Sequence, residues 1–178
     1  MGLFAQGRRL RRERIGFQLY TAAVAAARDP FFYTELDVPD TLDGRFDLVG
    51  LHVGLVIRRL RREPQAEAAQ LAQKLFDAMF ADMDLTLREI GVGDMSVPKR
   101  VRAMWEAFHG RSLAYELALE SGDMAELEQA LARNVWRGEP SAGVARLARV
   151  VAALDAALAA QSGEAVMAGK IVFPSPAA

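Results

Sequence analysis

Cysteine is absent from the 178 residues, which excludes disulfides, thiolate-held metals and iron–sulfur clusters. Histidine occurs only twice, at His52 and His109. Neither an H-E-x-x-H motif nor a P-loop is present. Neither histidine has a neighbouring nucleophile and orienting acid of the kind a triad uses. Long apolar runs are missing as well. Leu48–Ile57 and Val150–Ala160 are the best candidates, but they are short or interrupted by His52 and Asp155, and a bilayer span needs about 20 apolar residues. Charge of one sign is not in excess, because 22 Lys+Arg against 23 Asp+Glu leave a net −1. An electrostatic partner would therefore be recognised by local patches.

What is there is helical. Hydrophobic residues make up 52% and charged residues 25%, a globular balance for one domain able to bury a real core. The expected fold is all-α, a single-domain bundle of about six or seven helices. Residues 1–28 read as a basic N-terminal helical segment, 29–160 as the helical domain, and 161–178 as a partly disordered tail. Residues 30–43, rich in Pro, Asp and aromatics, read as a loop whose Phe31, Phe32 and Tyr33 anchor it or face a partner. Asp43 is a candidate cap for the next helix. That helix carries Phe46, Val49, Val53, Ile57 and Leu60 on one face, with Gly50 and Gly54 as a small-residue line. A helix over about 65–90 follows, with Leu71, Leu75, Phe76, Met79, Phe80, Met83, Leu87 and Ile90 as its expected buried face. Asp123 with Glu126 forms a capping-box pattern, and Ser141 can cap a last helix.

The most informative stretch runs from Leu87 to Leu119. Gly91 and Gly93 break one helix, Ser96 can cap the next, and Pro98 tolerates a first-turn position. Val101, Met104, Trp105, Phe108, Ser112, Tyr115 and Leu119 then share a mostly apolar face. Ala103, Ala107, Gly110, Ala114 and Ala118 form a line of small residues. Lys99, Arg102, Glu106 and His109 form a polar side that Leu113 and Leu117 continue. Apolar on nearly all sides, this helix is expected at the centre of the bundle. Its small line and the Gly50/Gly54 line should mark close helix contacts.

The run GVGD, then VPK, Arg102 and AFHGR resembles the signature of the ubiquinol–cytochrome c chaperone family. The resemblance covers about Phe32 to Trp136 and is tightest from Asp84 to Arg111. The chain departs from the family pattern at His109, where an aromatic residue is common. The resemblance implies an assembly chaperone for the cytochrome bc complex, with newly made cytochrome b as partner and a retained, cytoplasmic N-terminus. No enzymatic activity and no cofactor are expected, and the lack of a nucleotide motif points to holding without ATP. The expected partner-binding set is Arg88, Asp94, Lys99, Arg100, Arg102 and Arg111, a polar rim beside the glycine turn, with Phe31, Phe32 and Tyr33 as its apolar centre.

Other readings rest on other residues. The N-terminal cluster Arg8, Arg9, Arg11, Arg12 and Arg14, with Leu3, Phe4, Leu10 and Ile15 as apolar points, suits an anionic membrane surface, on the inner face of the cell membrane, or a solvated terminus. It also opens like a secretion signal, but Gln18, Tyr20 and Thr21 dilute the apolar stretch. The hexapeptide RRLRRE occurs at 8–13 and again at 58–63, where its arginines suit a helix C-terminus. Together the two segments suggest a ribosome- or RNA-associated protein; DNA is not an expected partner. A small cofactor binder or enzyme would use Trp105, Glu106 and His109. His52, on an apolar helix, reads as a satisfied core histidine, and no metal site is expected.

Overall fold

The computed structural model describes residues 2–177, with side chains from Gln6 onward. Leu3 and Phe4 are therefore placed by backbone only. The described residues form six long helices and two short ones, with no strand among them. The order is α1 (Gly2–Ala27), α2 (Phe31–Thr34), α3 (Leu42–Arg61), α4 (Ala66–Glu89), α5 (Val97–Ser121), α6 (Met124–Val135), α7 (Gly143–Ala159) and α8 (Gly163–Met167). The all-α expectation holds.

The central helix is α3, not α5. Phe46, Val49, Val53 and Leu60 are buried on the expected face, and so are Leu48, Leu51, Leu55 and Val56 on the others. A helix buried all round must be surrounded, and α3 touches α1, α4, α5, α6, α7 and α8. Each fully buried leucine there contributes roughly 1.5–3 kcal/mol relative to exposure. By contrast, α5 buries only Val97, Phe108, Tyr115 and Ala118. Its apolar residues on the polar side lie in water, which periodicity alone could not distinguish from burial.

Close approach occurs along one of the two small-residue lines. A Cβ on Gly50 would stand 3.4 Å from the Phe108 ring, and one on Gly54 3.2 Å from Ser112 Oγ. The α3 line therefore receives the apolar face of α5. The α5 line is not its mate: Ala103 and Gly110 are exposed, and only Ala118 is buried. The tightest crossing was not foreseen. At Gly16 a Cβ would lie 2.6 Å from Lys74 Cβ, so α1 is pressed against α4.

Several caps differ from expectation. Thr41, not Asp43, caps α3, its Oγ1 accepting from Gly44 N at 3.1 Å; Asp43 sits in the first turn. Ser96 makes no side-chain capping bond. Asp123 accepts from Ala125 N at 2.8 Å and Glu126 N at 3.2 Å, and Ser141 Oγ accepts from Gly143 N at 3.0 Å. Within the expected loop 30–43, Phe31–Thr34 close one helical turn.

The stretch after residue 160, which has no helical period, lies on the core through its side chains. Val166 and Ile171 are buried, and the Phe173 ring lies 5.3 Å from that of His52. The basic N-terminal segment continues into Ile15, Leu19, Tyr20, Ala23 and Ala27, all buried in the same core.

The second RRLRRE copy staples α3 to its neighbours. Arg58 Nε donates to Asp155 at 3.1 Å and its Nη1 to Glu120 at 3.0 Å. Arg59 donates to the Leu158 and Gln161 carbonyls at 2.9 and 2.8 Å, and to Glu63 at 2.6 Å. Both side chains are buried, which a guanidinium tolerates because its forked donors are satisfied.

Candidate functional site

The bend between α4 and α5 is held by its own charges. Arg88 Nε donates to Asp84 at 2.7 Å and its Nη1 to Asp94 at 2.6 Å. The first bond holds the Asp84 carboxyl below its ordinary pKa. Gly91, at φ +85°, turns the chain out of α4. Beyond the bend, Lys99 and Arg100 are exposed and without an ion-pair partner among the described residues. Arg102, also exposed, pairs one turn on with Glu106 at 2.9 Å. The bend also leaves apolar groups in water, with Ile90 57% and Met95 89% exposed.

Further along α5, Trp105, His109, Leu113 and Leu117 follow one another at four-residue steps. Trp105 is 45%, Leu113 57% and Leu117 54% exposed. The His109 ring lies 4.0 Å from that of Trp105 and 5.4 Å from Phe76, and its Nδ1 is 2.9 Å from the Trp105 carbonyl. Beside this row opens a groove of about 660 Å³ between α3, α4 and α5. Leu51, Leu55, Ile57, Ala72, Phe76 and Phe108 form much of its lining. Its polar groups include Arg58, Arg61 and Glu116, the last two paired at 2.6 Å. A mostly apolar channel between helices, with charge beside it, suits an apolar helix or extended segment.

The other expected site residues lie elsewhere. Arg111 turns inward to bond the carboxylate of Asp47, whose side chain is 1% exposed. Arg137, at φ +57°, brings its Nη1 within 2.7 Å of the second Asp47 oxygen, close enough for an ion pair but not aligned as a hydrogen bond. Arg111 therefore belongs to a latch joining α3, α5 and the turn after α6, and is no rim residue. Phe32 is 1% exposed and packs edge-on against His52 at 5.5 Å, so it serves the core. Phe31 is half-buried under the Arg146 guanidinium at 5.4 Å, and Tyr33 donates to the Ala27 carbonyl at 3.1 Å. Arg8, Arg9, Arg11, Arg12 and Arg14 lie on α1, and among the described residues only Arg9 is paired, to Glu13 at 2.9 Å.

The buried titratable groups are structural. His52 lies 2.8 Å through Nδ1 from the Leu48 carbonyl, and burial lowers its pKa to about 4. Burial also pushes the Tyr115 hydroxyl up to about 12. Tyr20 is raised too, by burial first and then by its 2.6 Å bond to Asp82. Among the described residues no group of three acids and histidines could hold a metal, and no helix is long and apolar enough to cross a membrane.

The pocket expected at Trp105, Glu106 and His109 falls on this groove, which Trp105 and His109 line and Glu106 does not, but its extent along α3 and α4 and the Asp47 latch were missed. The signal for the first was visible in Leu113 and Leu117 continuing a charged line. An acid among Phe46, Leu48 and Val49 was the signal for the second.

Fold and surface together define a helical protein built to present an apolar channel with a cationic flank, the outline of a polypeptide-binding protein. The ubiquinol-cytochrome C chaperone family model matches residues 34–173, and the chain belongs to that family. It is similar to a solved structure of the Cbp3 homolog from Brucella abortus, with 35% identity, a TM-score of 0.86, and coverage of 99% of this chain and 98% of that one. It is also 24% identical over 120 residues to the ubiquinol-cytochrome-c reductase complex assembly factor 1 of Xenopus laevis. That match takes in 67% of this chain but only 57% of the frog protein.

Proposed function

We propose that this chain is an assembly chaperone for the cytochrome bc complex that holds newly made cytochrome b without ATP and without catalysis, at the cytoplasmic face of the membrane. Family membership and the names of its relatives support the assembly role. The observation that carries the binding mode is the row Trp105, Leu113 and Leu117, left in water beside an apolar groove and on the same helix as the free cations Lys99 and Arg100. Burying half-exposed aromatic and leucine side chains under an apolar client segment gives affinity. The cations set orientation and encounter rate. Arg88 and Asp94 shape the bend rather than grip the client, because they are already paired to each other.

The test uses the tagged full chain in a pull-down with newly translated cytochrome b, beside a deletion strain scored for cytochrome b and mature complex. Lys99→Glu with Arg100→Glu, and separately Trp105→Ser with Leu113→Ser, should each abolish capture while helix content is unchanged. Capture that survives both pairs of substitutions would remove this surface from the proposal.

The same groove is also of a size for a small apolar ligand. That second reading predicts saturable quenching of Trp105 fluorescence by a quinone or haem. Charge reversal at Lys99 would leave such quenching unaltered.

A further inference from the structure

The repeated hexapeptide has opposite fates in its two places. At 58–63 all four arginines engage acids or carbonyls of this chain, on α5, α7 and nearby turns. At 8–13 only Arg9 is engaged, with Glu13 on its own helix; Glu13 also stands 4.0 Å from Lys74 Nζ. Arg8, Arg11, Arg12 and the adjacent Arg14 have no ion-pair partner among the described residues. None of residues 6–14 is buried, and burial on α1 begins at Ile15. Residues 6–14 thus lie outside the buried core, with only Arg12 and Glu13 half-buried. Five arginines against one glutamate give α1 a net +4, in a chain whose total is −1.

The side of α1 turned away from the core also carries two large apolar groups. Leu10 is 59% and Phe17 61% exposed. Seven residues apart, they fall within about 20° of one another around the helix. Arg14 lies between them and Arg11 to one side, while the buried Leu19 and Ala23 lie on the opposite face. The close crossing at Gly16 and the Tyr20–Asp82 bond fix the helix on α4, so this face is presented in a set orientation.

We propose that the outward face of α1 rests on an anionic lipid bilayer, with Leu10 and Phe17 entering the interfacial layer and Arg11 and Arg14, the arginines on that side, meeting lipid phosphates. Dense cation around a thin apolar line is the composition of a surface-lying helix. A helix seated in a protein groove would show apolar groups at every three or four residues, and here Arg14 interrupts that spacing. This inference does not depend on where the client binds.

The test is flotation of the full chain with two vesicle types, phosphatidylcholine alone and phosphatidylcholine with about one-third phosphatidylglycerol. Binding is expected only to the anionic vesicles, falling with added salt. Each Arg→Gln change at 11 or 14 should weaken it about fivefold, and Phe17→Ser on the order of tenfold. Leu10 and Phe17 already face water, so helix content of the variants should match the parent. The arginine variants, which remove no packing, carry the test even if Phe17→Ser alters the helix. Equal flotation with both vesicle types, or none with either, would overturn the proposal. So would capture by RNA in place of vesicles, or loss of client capture in the arginine variants with vesicle binding unchanged; that last result would assign the face to a protein.

Discussion

Arg111→Ala separates two roles that one side chain could have. If Arg111 were a rim contact for a client, its removal would weaken capture and leave stability alone. The geometry says the reverse. Asp47 is 1% exposed at its side chain, and among the described residues Arg111 gives it its only aligned hydrogen bond from a side chain; Arg137, 46% exposed, supplies a poorly aligned second charge. Removing one partner of a fully buried pair costs about 3–5 kcal/mol. Arg111 is itself 21% exposed and Arg137 remains, so a loss below that range, about 2–3 kcal/mol, is expected. For a chain of this length that is a fall of roughly 5–10 °C in Tm. Urea unfolding followed by circular dichroism should show a lower midpoint with an unchanged slope. Asp47→Leu combined with Arg111→Met should recover much of the loss, because no buried charge is then left unpaired. A destabilisation below about 0.5 kcal/mol, within the range of ordinary surface substitutions, together with lost capture, would refute the latch and restore Arg111 to the binding surface.

Two further outcomes follow from buried contacts. His52 is neutral in the fold with a pKa near 4, against 6.5 when exposed. The unfolded chain therefore binds the extra proton between those values, and stability is full above about pH 6.5 and falls as pH drops toward 4. The loss approaches 3 kcal/mol in order of magnitude, and His52→Gln should flatten that part of the pH–stability curve; an unchanged curve would show that another group governs it. Gly16→Ala pushes a methyl into Lys74 Cβ and the α4 backbone. It should destabilise by about 1–3 kcal/mol, measured by the same urea titration, and a neutral result would mean that α1 can slide on α4.

Much of the fold was legible because helical period and turn chemistry agree. Leu71, Leu75, Met79 and Met83 recur on one face of α4 and are buried as a set. Gly91, at φ +85°, marks a helix end that the sequence announces. Centrality was not legible from pattern. Both α3 and α5 are apolar on several sides, and the decision belongs to which neighbours exist, a property of tertiary packing. Capping was partly legible, since Thr41 and Asp43 are both competent and backbone entry alone selects Thr41. At the site, Lys99, Arg100 and Arg102 were found where expected on the surface, whereas Arg111 and Phe32 turned inward. A residue type cannot reveal that choice when an unsuspected partner such as Asp47 or His52 waits 64 or 20 positions away in the chain.

Helix α4 divides the molecule. Lys74 and Asp82 meet α1, while Phe76 and Phe80 reach toward α5 and its groove; at about 100° per residue these pairs point in nearly opposite directions. A bilayer lying along α1 and a polypeptide lying in the groove would thus never contend for the same space. Their binding energies should simply add, with no coupling between them unless α4 itself shifts. Such a molecule could stay parked on lipid while its far side loads and unloads from water.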